Sequence, residues 1–173
     1  MKPGLAACLL LVATAGCASQ PPGAWIERAP MPTPRHDLEA VAFGGRLYAI
    51  SGAGDLTADV VEVFDAAGGR WSSAAPIPEA RGWFGCAVLD GKAWCVGGKR
   101  VRTEKEKSES GKDDHYEYRA SLNVCDPVRN QWTVRAPMSK PRAGVKAAAL
   151  EGRIWAVGGN TPDAPALDRV EVY

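Results

Sequence analysis

Histidine is scarce in this sequence: there are two, His36 and His115, far apart along the chain. Metal sites that use imidazole need ligands at short, regular spacing, and no such set is written here. Also missing are a Gly-x-Ser-x-Gly elbow, a phosphate-binding Walker loop and a dinucleotide fingerprint, so the common nucleophilic and nucleotide-dependent chemistries lack their signatures. Neither sign of charge prevails. Lys plus Arg number 21 against 20 for Asp plus Glu, a net charge of +1, which leaves no footprint for nucleic acid or an anionic membrane. Long apolar runs are absent as well. The longest, Leu5 to Ala15, is shorter than the roughly 20 residues a spanning helix requires.

What the chain does have is glycine (19) and proline (13), which favour a fold with many turns. Its 173 residues, 46% hydrophobic, suit one globular domain. Residues 1–16 read as a signal peptide: Lys2, then the apolar run, then a small-residue junction at Gly16-Cys17. "TAGC", Thr14 to Cys17, resembles the bacterial lipobox, although Thr14 stands where leucine is usual. "LAAC", Leu5 to Cys8, fits that pattern better but leaves no room for an apolar region before it. The expectation is lipidation at Cys17, the alternative an ordinary secretory signal cut near Ala15. Ala18, in place of aspartate after the cysteine, then implies a periplasm-facing or surface lipoprotein of the outer membrane. Residues 17–23 form a short tether, and the folded domain is expected over 24–173.

Export permits disulfides. Asp90-Gly91 is a two-residue hairpin signal between Trp83–Leu89 and Lys92–Val96. Pairing Leu89 with Lys92 sets Cys86 opposite Cys95, so a bridge between them is expected, with two small buried thiols as the alternative. Cys125 is left over and is expected to be buried.

Self-comparison is the most informative reading. "LYAI" is followed by Ser51-Gly52, "AWCV" by Gly97-Gly98, and "IWAV" by Gly158-Gly159. Before each lies a turn (Gly44-Gly45, Asp90-Gly91, Glu151-Gly152), and before that an arginine: Arg35, Arg81, Arg142. Every feature shifts by 46 from first copy to second and by 61 from second to third, as Trp25, Trp71 and Trp132 also do. Each unit therefore reads as four short strands, the third of the "VEVF" type and the fourth carrying tryptophan and running into Ala-Pro. This order resembles the kelch repeat of the galactose oxidase/kelch type, whose units are four-stranded blades of a β-propeller. The expected fold is all-β, about two and a half blades (34–79, 80–140, 141–173) plus an N-terminal closing strand at Trp25–Met31. The tryptophans, with Tyr48, Trp94 and Trp155, are expected in the packing between blades. The third unit stops before its fourth strand, which reads either as truncation of a longer ring or as half of a six-bladed homodimer.

The resemblance implies a ligand face built by the loops joining fourth to first and second to third strands. Arg35, Arg81 and Arg142 fall there and would hold carboxylates, on acidic sugars or peptides; the alternative is a structural arginine in every unit. His36 and Trp83 vary between copies and are specificity candidates. Lys99, Arg100, Tyr116 and Asn160 complete the candidate ligand-binding set. The charged insertion, residues 99–119, is expected as a solvated, mobile loop, or else as a lid or partner-contacting arm. Copper oxidases of the propeller class need several histidines and a tyrosine–cysteine pair, which are not supplied, so no cofactor, metal or catalytic residue is expected. The reading is a non-catalytic module for a protein or glycan ligand. The alternative is part of a periplasmic sugar-processing enzyme of the sialic-acid mutarotase type.

Overall fold

The computed structural model describes residues 23–54, 58–110 and 115–173. The signal peptide, Cys17 and nearly all of the tether lie outside the described residues. The first blade holds β1 (Glu39–Phe43), β2 (Arg46–Ile50), β3 (Val61–Asp65) and β4 (Arg70–Ala74), hydrogen-bonded in that order. The second begins with β5 (Gly85–Leu89) and β6 (Lys92–Val96). An insertion of β7 (Lys99–Val101), α1 (Glu104–Ser110) and β8 (Tyr116–Tyr118) follows, and β9 (Leu122–Asp126) and β10 (Gln131–Arg135) complete the blade. The third contains β11 (Lys146–Leu150), β12 (Arg153–Val157) and β13 (Val170–Val172).

Each blade opens with a hairpin whose turn is set by two residues of positive φ. These are Gly44-Gly45 (59° and 72°), Asp90-Gly91 (50° and 66°) and Glu151-Gly152 (52° and 69°). Such turns carry the twist of the flanking strands and fix the register. Leu89 consequently pairs with Lys92, and Cys86 with Cys95.

Blades pack face to face. Tyr48, Ile50, Val61 and Val63 of the first meet Phe84, Ala93, Cys95 and Cys125 of the second. Val96 and Leu122 of the second meet Val145 and Ala156 of the third. Burying side chains of this size contributes roughly 1.5–3 kcal/mol each, which is what holds one blade on the next. The innermost strands crowd most: β5 lies against both β1 and β11. At Gly85 a Cβ would stand 2.7 Å from the Ala147 nitrogen, so only glycine admits that approach.

The fourth-strand tryptophans link blades by a repeated hydrogen bond. The Trp71 indole donates to the Ala29 carbonyl and the Trp132 indole to the Ala75 carbonyl, both at 2.9 Å. Ala29 thus sits where the Ala-Pro end of a preceding blade would sit. Residues 25–31 nevertheless form no strand, and Trp25 is fully exposed, contrary to the expected closing strand and packed ring. Trp71 leans on Phe64 of β3 at 5.2 Å; no third strand flanks Trp25 among the described residues, so neither ladder nor ring contact forms.

Of the charged insertion, residues 99–110 and 115–119 are described, and they form a short hairpin and a helix. Arg100 forms ion pairs with Glu106 and Glu117, both 2.6 Å, joining helix to hairpin. Thr103 caps α1: its Oγ1 accepts from the Glu106 N–H while Glu106 Oε2 accepts from the Thr103 N–H. That reciprocal pair is the capping box, a Thr-x-x-Glu signal present in "TEKE".

Candidate functional site

The three repeat arginines enter the blades instead of facing the loops. The Arg81 and Arg142 side chains are wholly buried and that of Arg35 almost so. Arg35 donates to Glu62 Oε2 (2.8 Å) and the Ala49 carbonyl (3.3 Å). Arg142 donates to Glu171 Oε1 (2.5 Å) and the Ala156 carbonyl (3.2 Å). Glu62 and Glu171 occupy the same place in the third strand, and Asn123 holds it in the second blade. The neutral amide leaves Arg81 short of a counter-charge, and Glu79 supplies it from two residues upstream at 2.8 Å. Burial works to raise the Glu79 carboxyl, but the Ser121 hydroxyl and the charges of Arg81 and Arg119 outweigh it and hold the group below its usual range.

The position two residues after each arginine is left-handed: Asp37 (φ 52°), Trp83 (φ 53°) and Gly144 (φ 64°). The Trp83 N–H donates to the Asp37 carbonyl and the Gly144 N–H to the Trp83 carbonyl, lacing the loops of successive blades together. A tryptophan held there is strained by about 1–3 kcal/mol. Its half-buried indole stands beside His36, 6.2 Å away and edge-on, and Tyr116, 6.0 Å away and edge-on. Lys99 Nζ lies 3.9 Å from the Tyr116 ring centre, 4.6 Å from that of Trp83 and 5.7 Å from that of Tyr118. Partial burial lowers the Lys99 ammonium from its usual range despite the opposing charge of Asp37. The loop face therefore carries a cluster of aromatic rings around a lysine, suited to stacking on planar or sugar groups and to receiving an acceptor.

Beside this cluster, between the insertion and the third blade, opens a cleft of about 510 Å³. Tyr116, Glu117 and Tyr118 form one wall; Lys140, Thr161 and Arg169 lie among the residues of the other. Of the remaining candidates, Arg100 is engaged inside the insertion, and the Asn160 amide lies over Gly144 in the third blade. Toward the axis, Glu39 Oε1 approaches Lys146 Nζ at 3.5 Å. Burial raises the Glu39 carboxyl even though Lys146 draws it down.

No protein-family model matches the chain. It is similar to Beta-scruin of Limulus polyphemus, 28% identical over 161 residues, which cover 86% of this chain and 16% of that protein. Kelch-like protein 25 of Xenopus tropicalis is 30% identical over 157 residues, 86% of this chain and 25% of its own length. Kelch-like ECH-associated protein 1A of Danio rerio is 30% identical over 129 residues, 75% of this chain and 19% of its own length. The solved structure of YjhT superposes with a TM-score of 0.64 at 19% identity, covering 80% of this chain and 45% of that one. The chain is built of kelch repeats. It spans from 16% to 25% of these curated relatives and forms part of a propeller rather than a closed ring.

Within the kelch repeats, the sequence reading missed Glu62, Asn123 and Glu171 as arginine partners. Their fixed place after a branched residue in "VEVF", "LNVC" and "VEVY" was the available signal. It also missed Glu39, Arg102, Lys140 and Arg169, which carry no repeat signature. Cys86 and Cys95 are free thiols in the structure, with Sγ atoms 2.8 Å apart, so the expected bridge is not formed although its register is. Burial, then the neighbouring Cys95, pushes the Cys86 thiol well above its usual range, and burial takes Cys125 to about 12. Both stay protonated at neutral pH, so exchange with a disulfide oxidant is slow. Incubation with oxidised glutathione should join Cys86 to Cys95 and leave Cys125 a thiol. A peptide map showing a Cys95–Cys125 link would contradict this.

Proposed function

We propose that this chain is a non-catalytic kelch-repeat binding module that takes a protein ligand on its loop face. The observation that carries the reading is Trp83, a bulky residue held at positive φ with its ring beside Lys99 and close to Tyr116. Strain of this kind persists where surrounding structure enforces it, and here it presents an aromatic surface where loops meet. The relatives support a protein ligand: one is named for its association with ECH and is matched over 75% of this chain. The signal-like residues 1–16 and Cys17 support placement at a bacterial envelope through a lipid anchor, and a glycan is the alternative ligand at the same rings.

Selection of a displayed random-peptide library on the immobilised chain tests the reading. Peptides retained by the native chain should be lost from a Trp83→Ala, Tyr116→Ala chain whose melting temperature is unchanged. Equal retention by the two chains would place binding elsewhere.

A second reading is favoured by one observation, the Glu39 carboxyl raised beside Lys146 on the innermost strands. A carboxyl of raised pKa next to an ammonium is a proton-transfer pair of the sort a sugar-anomerising enzyme uses. Under that reading, acidic-sugar anomerisation would be accelerated by the native chain and not by Glu39→Gln.

A further inference from the structure

Among the described residues two blade faces are left uncovered, and they are the two halves of one kind of seam. Where blades meet, the trailing face of one packs on the leading face of the next. On the trailing face Ile50 and Val96 are buried, while Val157, at the same repeat position of the third blade, is 45% exposed. Val61 and Leu122 are buried likewise, and their counterpart Val170 is exposed. On the leading face Ala93 and Ile154 are buried, while Leu47, at the same position of the first blade, is 37% exposed. The third blade thus lacks a leading face to pack on, and the first blade presents one without cover. Within one chain the second blade stands between them, so they meet only when two copies come together.

The blade-linking tryptophan bond points to the same partner. Trp71 and Trp132 donate to Ala29 and Ala75, and the next carbonyl of that series is Ala136. No indole reaches it among the described residues. Beside it lies a pocket of about 60 Å³ whose lining includes Met138, Ile154, Ala156 and Tyr173. One blade earlier the equivalent residues are Ile77, Ala93, Cys95 and Cys125, and Trp132 packs on them. The pocket is therefore a tryptophan socket. Its β13 side has β12 as its one strand neighbour among the described residues. Trp25 is the converse, a repeat tryptophan, 46 residues before Trp71, that is fully exposed. Its segment matches the socket in backbone terms too. The Ile77 and Met138 amides donate to the Asp59 and Ala120 carbonyls, two places ahead of β3 and β9. The corresponding Met31 amide and Asp168 carbonyl have no backbone partner among the described residues.

We infer that the segment Trp25–Met31 of one copy forms the fourth strand of the third blade of a second copy, with Trp25 in the socket at Ala136. The observed registers pair Phe64 with Trp71 and Cys125 with Trp132. Continued to the third blade, they set Trp25 opposite Tyr173 of the partner subunit and Arg28 opposite Val170 of the partner subunit. Glu27 then faces Glu171 of the partner subunit, a carboxylate whose charge Arg142 already holds. Because Ala29 stays bonded to Trp71 of its own chain, the partner's third blade lies directly ahead of the first blade, where Leu47 awaits cover. The exchange is reciprocal. Two copies share two such seams and six blades, within the four to eight of closed propellers. Residues 25–31 form no strand in the single chain because the strand they pair with belongs to the other copy.

Sedimentation equilibrium of the chain tests this and should show two chains per particle. Trp25→Ala, at an exposed position, should leave the single chain folded and weaken association about thirtyfold or more, the effect of losing a buried aromatic anchor. Circular dichroism of the variant checks its folding. A synthetic peptide of residues 24–31, in excess, should split the pair into peptide-bound single chains, and the same peptide with alanine for tryptophan should not. A native chain that sediments as a single copy at every concentration would overturn the inference. A dimer that both Trp25→Ala and the peptide leave intact would overturn it as well, since the copies would then meet elsewhere. Open assemblies of more than two chains would overturn the closed pair.

Discussion

Arg81→Met should destabilise the chain by about 3–5 kcal/mol, a large share of the roughly 5–15 kcal/mol that holds a domain folded. The guanidinium is fully buried. It donates to the Gly97 carbonyl at 3.1 Å, the Ser121 carbonyl at 3.3 Å and Asn123 Oδ1 at 2.5 Å. Methionine fills most of the volume but donates nothing, and each buried acceptor left without a partner costs about 1–3 kcal/mol. Glu79 contributes less to the loss because its side chain is 36% exposed and water can take over its solvation. Arg81→Lys should rescue little, since one ammonium cannot reach acceptors spread around a planar fork. The control is Arg100→Met, whose partners are 36% and 28% exposed and whose loss should cost at most about 1 kcal/mol. Urea unfolding followed by tryptophan fluorescence separates the two. An Arg81→Met chain as stable as Arg100→Met would mean that the repeat arginine is not what ties the strands of its blade together.

Gly98→Ala should cost about 3 kcal/mol or more, and for a reason independent of hydrogen bonding. Gly98 has φ +100°, and an added Cβ would lie 2.7 Å from the Gly82 carbonyl oxygen and 2.8 Å from the Phe84 Cβ. Both neighbours belong to the segment that carries Arg81, which bridges back to Lys99 through the Gly82 and Lys99 backbones. Neither can move without opening that bridge. Backbone strain of about 1–3 kcal/mol and overpacking of about 1–3 kcal/mol add here. Gly91→Ala is the matched comparison, with φ +66° and nothing within 4 Å of its Cβ, so only the left-handed strain of about 1–2 kcal/mol applies. If both alanines cost the same, close approach at the glycine pair would be unimportant. Ser51, at the first place of the equivalent pair, shows why the two glycines differ. It tolerates φ 52° and uses its hydroxyl, which donates at 2.7 Å to the Arg81 carbonyl.

Much of this architecture was legible because it is periodic and local. The positions of the hairpin turns followed from Gly44-Gly45, Asp90-Gly91 and Glu151-Gly152, and the facing of Cys86 and Cys95 from counting outward from one of them. The helix α1 had a local signal too, the capping box in "TEKE", but the mixed charge of the segment drew the sequence reading to a solvated loop and that signal was missed. The cationic residues of the cleft were not legible. Lys140 and Arg169 have no counterpart at matching places in the other units, so repetition gave no reason to single them out.

The repeat unit, its strand order, the turn register and the equivalence of residues from blade to blade can be read from the chain alone. These depend on spacing and on backbone preferences that act within a few residues. What the equivalent arginines do depends on the packed blades. An arginine at the end of a loop reads the same in sequence whether it turns outward to solvent or inward to a strand. Its direction is set by acceptors 14 to 42 positions away, Glu62, Ala49, Gly97, Asn123 and Glu171 among them. Desolvating a guanidinium is unfavourable unless such partners converge on it, and convergence is a property of the packed blade rather than of the residues on either side.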